Sequence, residues 1–531
     1  MQHNNHAGLT LEEQLGQIMV VGFPGHTVTP EVVDLIQKYH VGNIILFSRN
    51  IENAEQLRAL TQHLQQLARE AGQRYPLLIM LDQENGVVRR LGRGTTIFPG
   101  NMTQGAINSE QMSYDIALAT GHELKALGIN MNLAPVVDVN NNPANPVIGV
   151  RSFGEDPQLV ARLGAAAVRG YRDAGIITSL KHFPGHGDTA TDSHLALPVV
   201  PYTLERLQQV ELLPFTSGIA AGATSIMIAH MYIPELMQQS NLPSTISPEI
   251  VTGLLRQRLG YNGVIITDCL EMNAVANTVG TAKGALMALQ AGNDLILISH
   301  TYEQQLGGLN EIKQAALADS RTTEQLAQAA ERVVQIKRDL LSWDDLPATD
   351  VIENQAHQQL RDQAYELSTT LVRDEQHLLP LQLAPDQSLL VLLLQPTFNT
   401  RVVDQEDPGY ELARQVALRH ANTHTMHLSE QQTSQEAVLN AVQRSAATIV
   451  VTLNANLDPW QAQFVNALVQ SGRPLINVAA YNPYDLMAYP QLGTYLVTYE
   501  NTPPAFTAAA RVLFGETPAR GRLPVSLPGL M

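Results

Sequence analysis

Cysteine is almost missing from this sequence: one residue, Cys269, in 531. A lone cysteine closes no disulfide within its own chain, so a disulfide-stapled fold is excluded. Long apolar runs are missing too. The longest, such as SLLVLLL at 388–394, fall far short of the roughly 18 residues a membrane-crossing helix needs. The opening MQHNNHAGLT has neither the charged start nor the apolar middle of a secretory signal. These absences together make the cytoplasm the expected compartment. Positive charge is in deficit, with Lys+Arg 33 against Asp+Glu 50 for a net −17, a sign that repels phosphate backbones and anionic lipid. Neither nucleic acid nor membrane is an expected partner. What remains is ordinary for packed globular chains: 44% hydrophobic residues, 36 Gly and 29 Pro, which excludes collagen-like and wholly disordered classes. At about 150 residues per domain, the length implies two to four units.

The first two-thirds of the chain alternates short β-rich apolar runs with longer segments of helical apolar spacing, the pattern of βα units around a parallel sheet. Strands are expected at 18–23, 42–47, 77–82, 129–139, 176–183, 224–231, 263–268 and 294–299. Eight such strands separated by helices point to a (β/α)8 TIM-type barrel. An open doubly wound sheet fits the same spacing, because spacing does not show closure. TEQLAQAAERVVQIKRDLL at 323–341 suits a closing helix, and the polar, proline-containing SWDDLPATDVIEN that follows reads as a linker. The expected organisation is a barrel domain over 1–342, a linker over 343–356, and a smaller α/β sandwich over 357–531. Strands of the second unit are expected at 388–395, 447–454, 474–481 and 494–500.

Active sites of such barrels lie at the C-terminal ends of the strands. Those ends carry Asp82, Asp138, Lys181 with His182, His230 and Asp268. Any one alone is as readily a helix cap or loop hydrogen bond; several around one mouth argue for a site. The densest stretch is KHFPGHGDTATDSH, 181–194. Within it, His194 is a candidate proton donor and acceptor, since imidazole titrates near neutrality, and Asp192 can orient that ring. The plainer alternative is a capped turn with a surface histidine. His182, His186, Asp188, Asp192 and His194 also have the chemistry of metal ligands. The stretch, however, contains no HExxH or finger spacing, and a catalytic metal usually draws ligands from several strand ends. Neither a metal nor a cofactor is expected. Asp268 ends the seventh strand, where a carboxylate can attack an anomeric carbon, with His194 in place of the second carboxyl of the usual retaining glycosidase. Cys269 beside it reads as a small packing residue.

Several long segments carry a family resemblance: LDQENGVVRRL (81–91) followed by FPG, VIGVRSFGEDP (147–157), KHFPGHGDTATDSH (181–194), MIAHMYIP (227–234) and LGYNGVIITDCLEM (259–272). The chain resembles glycoside hydrolase family 3, in its β-N-acetylglucosaminidase branch. The resemblance implies that Asp268 is the nucleophile, His194 the acid/base and Asp192 its dyad partner. It places Asp82, Arg90, Arg151, Lys181 and His182 at sugar-binding positions, where charged groups hold hydroxyls in directional hydrogen bonds. The second domain, with NPYDLMAY (482–489) and LFGETPARGRLPVSLP (513–528), is then expected to be mainly structural. One departure is visible: the family commonly reads DQEGGRV where this chain has DQENGVV, so Asn85 and Val87 replace a glycine and an arginine. The implied activity is exo-acting and retaining, removing terminal GlcNAc, with GlcNAc-MurNAc muropeptides of cell-wall recycling as the implied substrate. Three alternatives stand beside it. A phosphorylase would use phosphate as acceptor, since a histidine base repels an anion less than a carboxylate does. A β-glucosidase would belong to the same family, and a sugar-binding scaffold would lack turnover altogether.

Overall fold

Eight short parallel strands form one sheet: β1 (Met19–Val21), β2 (Asn43–Ile45), β3 (Leu78–Leu81), β4 (Met131–Asn132), β5 (Ile177–Phe183), β6 (Ser225–Ile228), β7 (Val264–Thr267) and β8 (Ile296–Ile298). The computed structural model describes residues 8–189, 197–238, 241–345, 348–397 and 409–530. Neighbours pair in the order β7-β6-β5-β4-β3-β2-β1-β8. A parallel bridge between Ile266 and Leu295 joins the two ends, and Thr267 N–H donates to Leu295 O at 3.0 Å. The sheet therefore closes into a barrel, which decides between the two topologies that the spacing allowed.

Side chains alternate across each strand, so every strand needs apolar residues on both faces. Val20, Ile45, Leu78, Met80, Ile177, Met227, Val264 and Leu297 fill the interior. Val21, Ile44, Ile79, Leu81, Ile226 and Ile265 face outward and pack under the helices. This double burial is why the strands read as continuous apolar runs in the sequence. The helices are punctuated locally. Thr10 and Glu13 form a reciprocal capping box at the first helix, while Thr29 with Pro30 and Asp156 with Pro157 start two others, using a proline where no N–H is needed. Among the described residues, no helix is long and apolar enough to cross a membrane.

The second domain is a six-stranded sheet of β9 (Thr370–Asp374), β10 (Leu389–Leu394), β11 (Thr423–Leu428), β12 (Ala447–Thr452), β13 (Leu475–Ala479) and β14 (Thr494–Val497). Their order is β11-β10-β12-β13-β14-β9, with β9 antiparallel to β14. Both edge strands escape the sequence reading. Strand β11, THTMHL, is mostly exposed, and β9, TLVRD, is only half-buried, so neither carries the apolar run that marked the four central strands. Helices cover both faces. Leu389, Val391 and Leu393 serve one core, and Leu390, Leu392 and Leu394 the other.

That second core is shared with the barrel. Val87, Val88, Met102, Ala106 and Val150 pack into it beside Tyr484, Tyr495 and Tyr499. Glu500 adds a polar tie: its buried carboxylate accepts from Thr103 Oγ1 at 2.6 Å, Gly100 N–H at 3.1 Å and Tyr365 Oη at 2.9 Å. Val87 thus sits where apolar contact with the second domain is needed. Asn85 has φ 67° and Gly86 φ 58°, a left-handed turn that asparagine tolerates better than most residues with a Cβ. The departure DQENGVV is accommodated by the backbone of this loop.

Candidate active site

A cavity of about 510 Å³ opens at the C-terminal ends of the barrel strands, lined among others by Asp82, Arg90, Arg151, Lys181, His182 and Asp268. The six described residues to which the family resemblance gives a role therefore meet in one place, whereas Asp138 and His230, named with them at the strand ends, are not part of its lining. Its size falls within the roughly 300–1,000 Å³ usual for small-molecule sites. Among the described residues its lining comes from the barrel portion of the chain, Ile45 to His300. Asp192 and His194 lie outside the described residues.

Strand β5 and the loops after β3 and β4 build the floor. Lys181 Nζ donates to Asp82 Oδ1 at 2.7 Å and pairs with Glu84 Oε1 at 2.6 Å. Arg151 meets Glu84 with two parallel hydrogen bonds of 2.8 Å, the fork geometry that fixes a guanidinium in one orientation. Arg90 stands 3.9 Å from the other oxygen of Asp82. Burying these charges singly would cost several kcal/mol each, so their pairing is what makes the cluster tenable. Burial pushes the Glu84 carboxyl up, but Arg151 and Lys181 outweigh it and hold the group well below the usual carboxylate range. Arg151 is in turn held more firmly protonated than usual, Glu84 outweighing burial.

Asp138 organises the next layer. It is fully buried, accepts the His186 N–H at 2.7 Å, and lies 2.7 Å from His182 Nδ1. Arg151 Nη2 approaches His182 Nε2 at 3.3 Å; a guanidinium only donates, so Nε2 accepts and Nδ1 carries the hydrogen toward Asp138. The Nδ1 hydrogen of His182 is therefore directed at Asp138, while the ring stays in the cavity lining. Burial, with the neighbouring His182, pushes the His186 imidazole down to about 4, so it is neutral at neutral pH. The loop that follows lies tight against the barrel: a Cβ on Gly187 would stand 1.8 Å from Val139 O, which only glycine avoids. Asn145 Nδ2 donates to the His186 and Gly187 carbonyls at 2.9 and 3.0 Å. This anchors the stem of the segment that carries Asp192 and His194.

On the far side, β7 delivers Asp268. Strands β3 and β7 stand four places apart in a ring of eight, so the Asp82 network and Asp268 face each other across the mouth. Asp268 is part-buried and its Oδ1 accepts the Cys269 N–H at 2.7 Å. Beneath it, His230 is fully buried and bridges Thr245 Oγ1 at 2.5 Å and Cys269 O at 2.9 Å. His230 thus props the end of β7 from below, and the cap-like alternative holds for it. His182, His186 and Asp188 do not gather as a ligand set either. The rings of His182 and His186 meet edge to face at 6.0 Å, and Asp188 accepts from Tyr202 Oη at 2.5 Å.

The sequence reading missed Glu84, the acid that neutralises both Lys181 and Arg151. Its only signal was its place two residues beyond Asp82, which is weak alone. It also passed over Arg49, Glu271 and His300, which the ends of β2, β7 and β8 bring to the same cavity.

Three comparisons bear on this arrangement. Residues 10–336 match the family profile described as glycosyl hydrolase family 3, N-terminal domain. A protein named Beta-hexosaminidase A, from Pseudoalteromonas piscicida, is 31% identical over 98% of this chain and 97% of its own length. Among solved structures, a family 3 β-N-acetylglucosaminidase from Paenibacillus sp. strain FPU-7 is 40% identical with a TM-score of 0.92, covering 98% of this chain and 99% of that one. A fungal multi-domain family 3 β-N-acetylglucosaminidase is 45% identical with a TM-score of 0.93; the match covers 98% of this chain but 61% of that one.

Proposed function

The chain belongs to glycosyl hydrolase family 3, and from that premise we propose that this glycoside hydrolase is a retaining exo-β-N-acetylglucosaminidase, removing non-reducing terminal GlcNAc through a covalent intermediate on Asp268. The observation that carries the reading is the meeting of Asp268 and the Asp82–Lys181–Glu84–Arg151 network in one cavity. A network of fixed charges grips one terminal sugar through its hydroxyls, and Asp268 faces it from the opposite strand. Relatives named β-N-acetylglucosaminidases and β-hexosaminidases at 31–45% identity give the substrate class. Muropeptides bearing GlcNAc-MurNAc are the proposed natural substrate, and the cytoplasm the proposed compartment.

In the proposed mechanism, Asp268 attacks the anomeric carbon while His194, oriented by Asp192, protonates the leaving oxygen. The C1–O bond breaks and a C1–Oδ bond forms. Neutral His194 then takes a proton from water, which attacks C1 and releases GlcNAc with retained configuration. Asp82, Arg90, Arg151 and Lys181 hold the sugar, Lys181 and Arg151 being set in place by Glu84. His182 is fixed between Arg151 and Asp138, and contributes by positioning them.

Initial rates on nitrophenyl β-glycosides of GlcNAc and of glucose, measured on EDTA-treated protein, test the proposal. The expected result is release at least ~100-fold faster from the GlcNAc compound, since a site built to bond an amide rejects analogues lacking it by a large factor. Equal rates, or activity that returns only with a divalent ion, would overturn it.

A further inference from the structure

Three side chains at the ends of β7 and β8 stand outside this mechanism: Cys269, Glu271 and His300. A sulfur, a carboxylate oxygen and an imidazole nitrogen, one from each, all lie within 4.8 Å of one another. A tetrahedral zinc ion, with bonds of about 2.0–2.3 Å, sets its ligand atoms roughly 3.3–3.5 Å apart. Side-chain shifts of about 1 Å therefore complete three sides of a coordination shell. We propose that Cys269, Glu271 and His300 form a site for a thiophilic divalent cation of the zinc and cadmium class, and that its occupation reversibly slows hydrolysis.

Each ligand is prepared differently. Glu271 is oriented by the backbone N–H groups of His300 at 2.6 Å and Thr301 at 3.0 Å, which tie the end of β7 to that of β8. His300 is exposed, so its imidazole can reach an incoming cation from the cavity. Cys269 is buried, 2.9 Å from Ser299 Oγ. Without metal it is a thiol. On binding, the S–H bond breaks, a sulfur–metal bond forms and the proton passes to solvent. That step favours cations with strong sulfur bonds over magnesium or calcium. Arg49, held by the carbonyls of Phe23 and Ser299, works against a cation, while the thiolate and carboxylate together balance the two positive charges.

The consequence for turnover follows from position. Cys269, Glu271 and His300 line the same cavity as Asp268, whose Oδ1 already accepts the Cys269 N–H. A dication bound to that sulfur draws charge from the adjacent carboxylate and takes up part of the cavity.

Cobalt(II) titrated into the EDTA-treated full chain is the test. With one cysteine in the sequence, any thiolate-to-cobalt charge-transfer absorption reports Cys269. The expected result is a band that saturates at one cobalt per chain and that zinc displaces, with hydrolysis falling at least ~10-fold in step and returning with excess EDTA. His300→Ala and Glu271→Gln should each weaken cobalt binding by at least ~10-fold. No band at saturating cobalt, or unchanged affinity in both variants, would overturn the site. A band with undiminished hydrolysis would overturn its effect on turnover. Because absorption is read without substrate, the site is decided even if the proposed glycosidase reading fails.

Discussion

Asp268→Asn is expected to reduce kcat on an aryl β-N-acetylglucosaminide by ~10⁴-fold or more, the scale seen when a covalent nucleophile is deleted. An amide is close to isosteric with the carboxylate, so the cavity keeps its shape. Its oxygen can still accept the Cys269 N–H that Asp268 now accepts at 2.7 Å. Folding should therefore survive while the attacking charge is lost. An external nucleophile such as azide should restore part of the rate in the smaller Asp268→Gly variant, because it can occupy the vacated space. The measurement is single-turnover and steady-state kinetics on preparations shown free of native enzyme. Near-native turnover in Asp268→Asn would remove the carboxylate from the chemistry.

Glu84→Ala should have the largest effect on stability. It leaves Lys181 and Arg151 buried, with side chains 2% and 5% exposed: Lys181 keeps Asp82 at 2.7 Å, but Arg151 keeps only the Val147 carbonyl and His182 Nε2 among its described hydrogen bonds. Removing one member of a buried ion pair costs about 3–5 kcal/mol, and here Arg151 loses its bidentate carboxylate while Lys181 loses one of its two acids. The urea midpoint should fall accordingly. Turnover of the remaining folded protein should drop ~100-fold, since sub-ångström placement of positioning groups is worth that much. The pH dependence has a definite sign. The Glu84 carboxyl is held below its ordinary value of 4.5, so its contribution is fully present above pH 4.5 and is lost as the pH falls below it. Native protein should thus lose stability on acidification more steeply than Glu84→Gln does. Equal acid sensitivity in the two proteins, with an unchanged urea midpoint in Glu84→Ala, would contradict the network as described.

How far the sequence discloses these features depends on the range of the interaction. The eight barrel strands are visible because burial on both faces demands apolar runs, as in Ile79–Met80–Leu81. The site residues at strand ends are visible because a charge such as Lys181 inside an apolar strand has no local explanation. Glu84 was invisible because its meaning lies in Arg151, 67 positions away. Asp138 and His230 were visible as polar strand ends, yet their work is to orient His182 and to prop Cys269 O, which no spacing distinguishes from contact with substrate. The edge strands β9 and β11 were missed because an edge facing solvent carries mixed polarity. The packing of Val87 and Val88 into the second domain likewise depends on a partner surface about 400 residues later, as the 400-residue separation of Gly100 and Glu500 illustrates.

The central claim is a covalent sugar on Asp268, and trapping it is the most direct measurement. Protein incubated with a fluorinated GlcNAc glycoside bearing a good leaving group forms its glycosyl-enzyme quickly and hydrolyses it slowly. Intact-mass spectrometry followed by peptide mapping then reads the adduct. The account predicts one added sugar per chain, carried by the peptide that contains Asp268 and lost again on prolonged incubation. Turnover of the reagent with no adduct, or an adduct on any other residue, would contradict it.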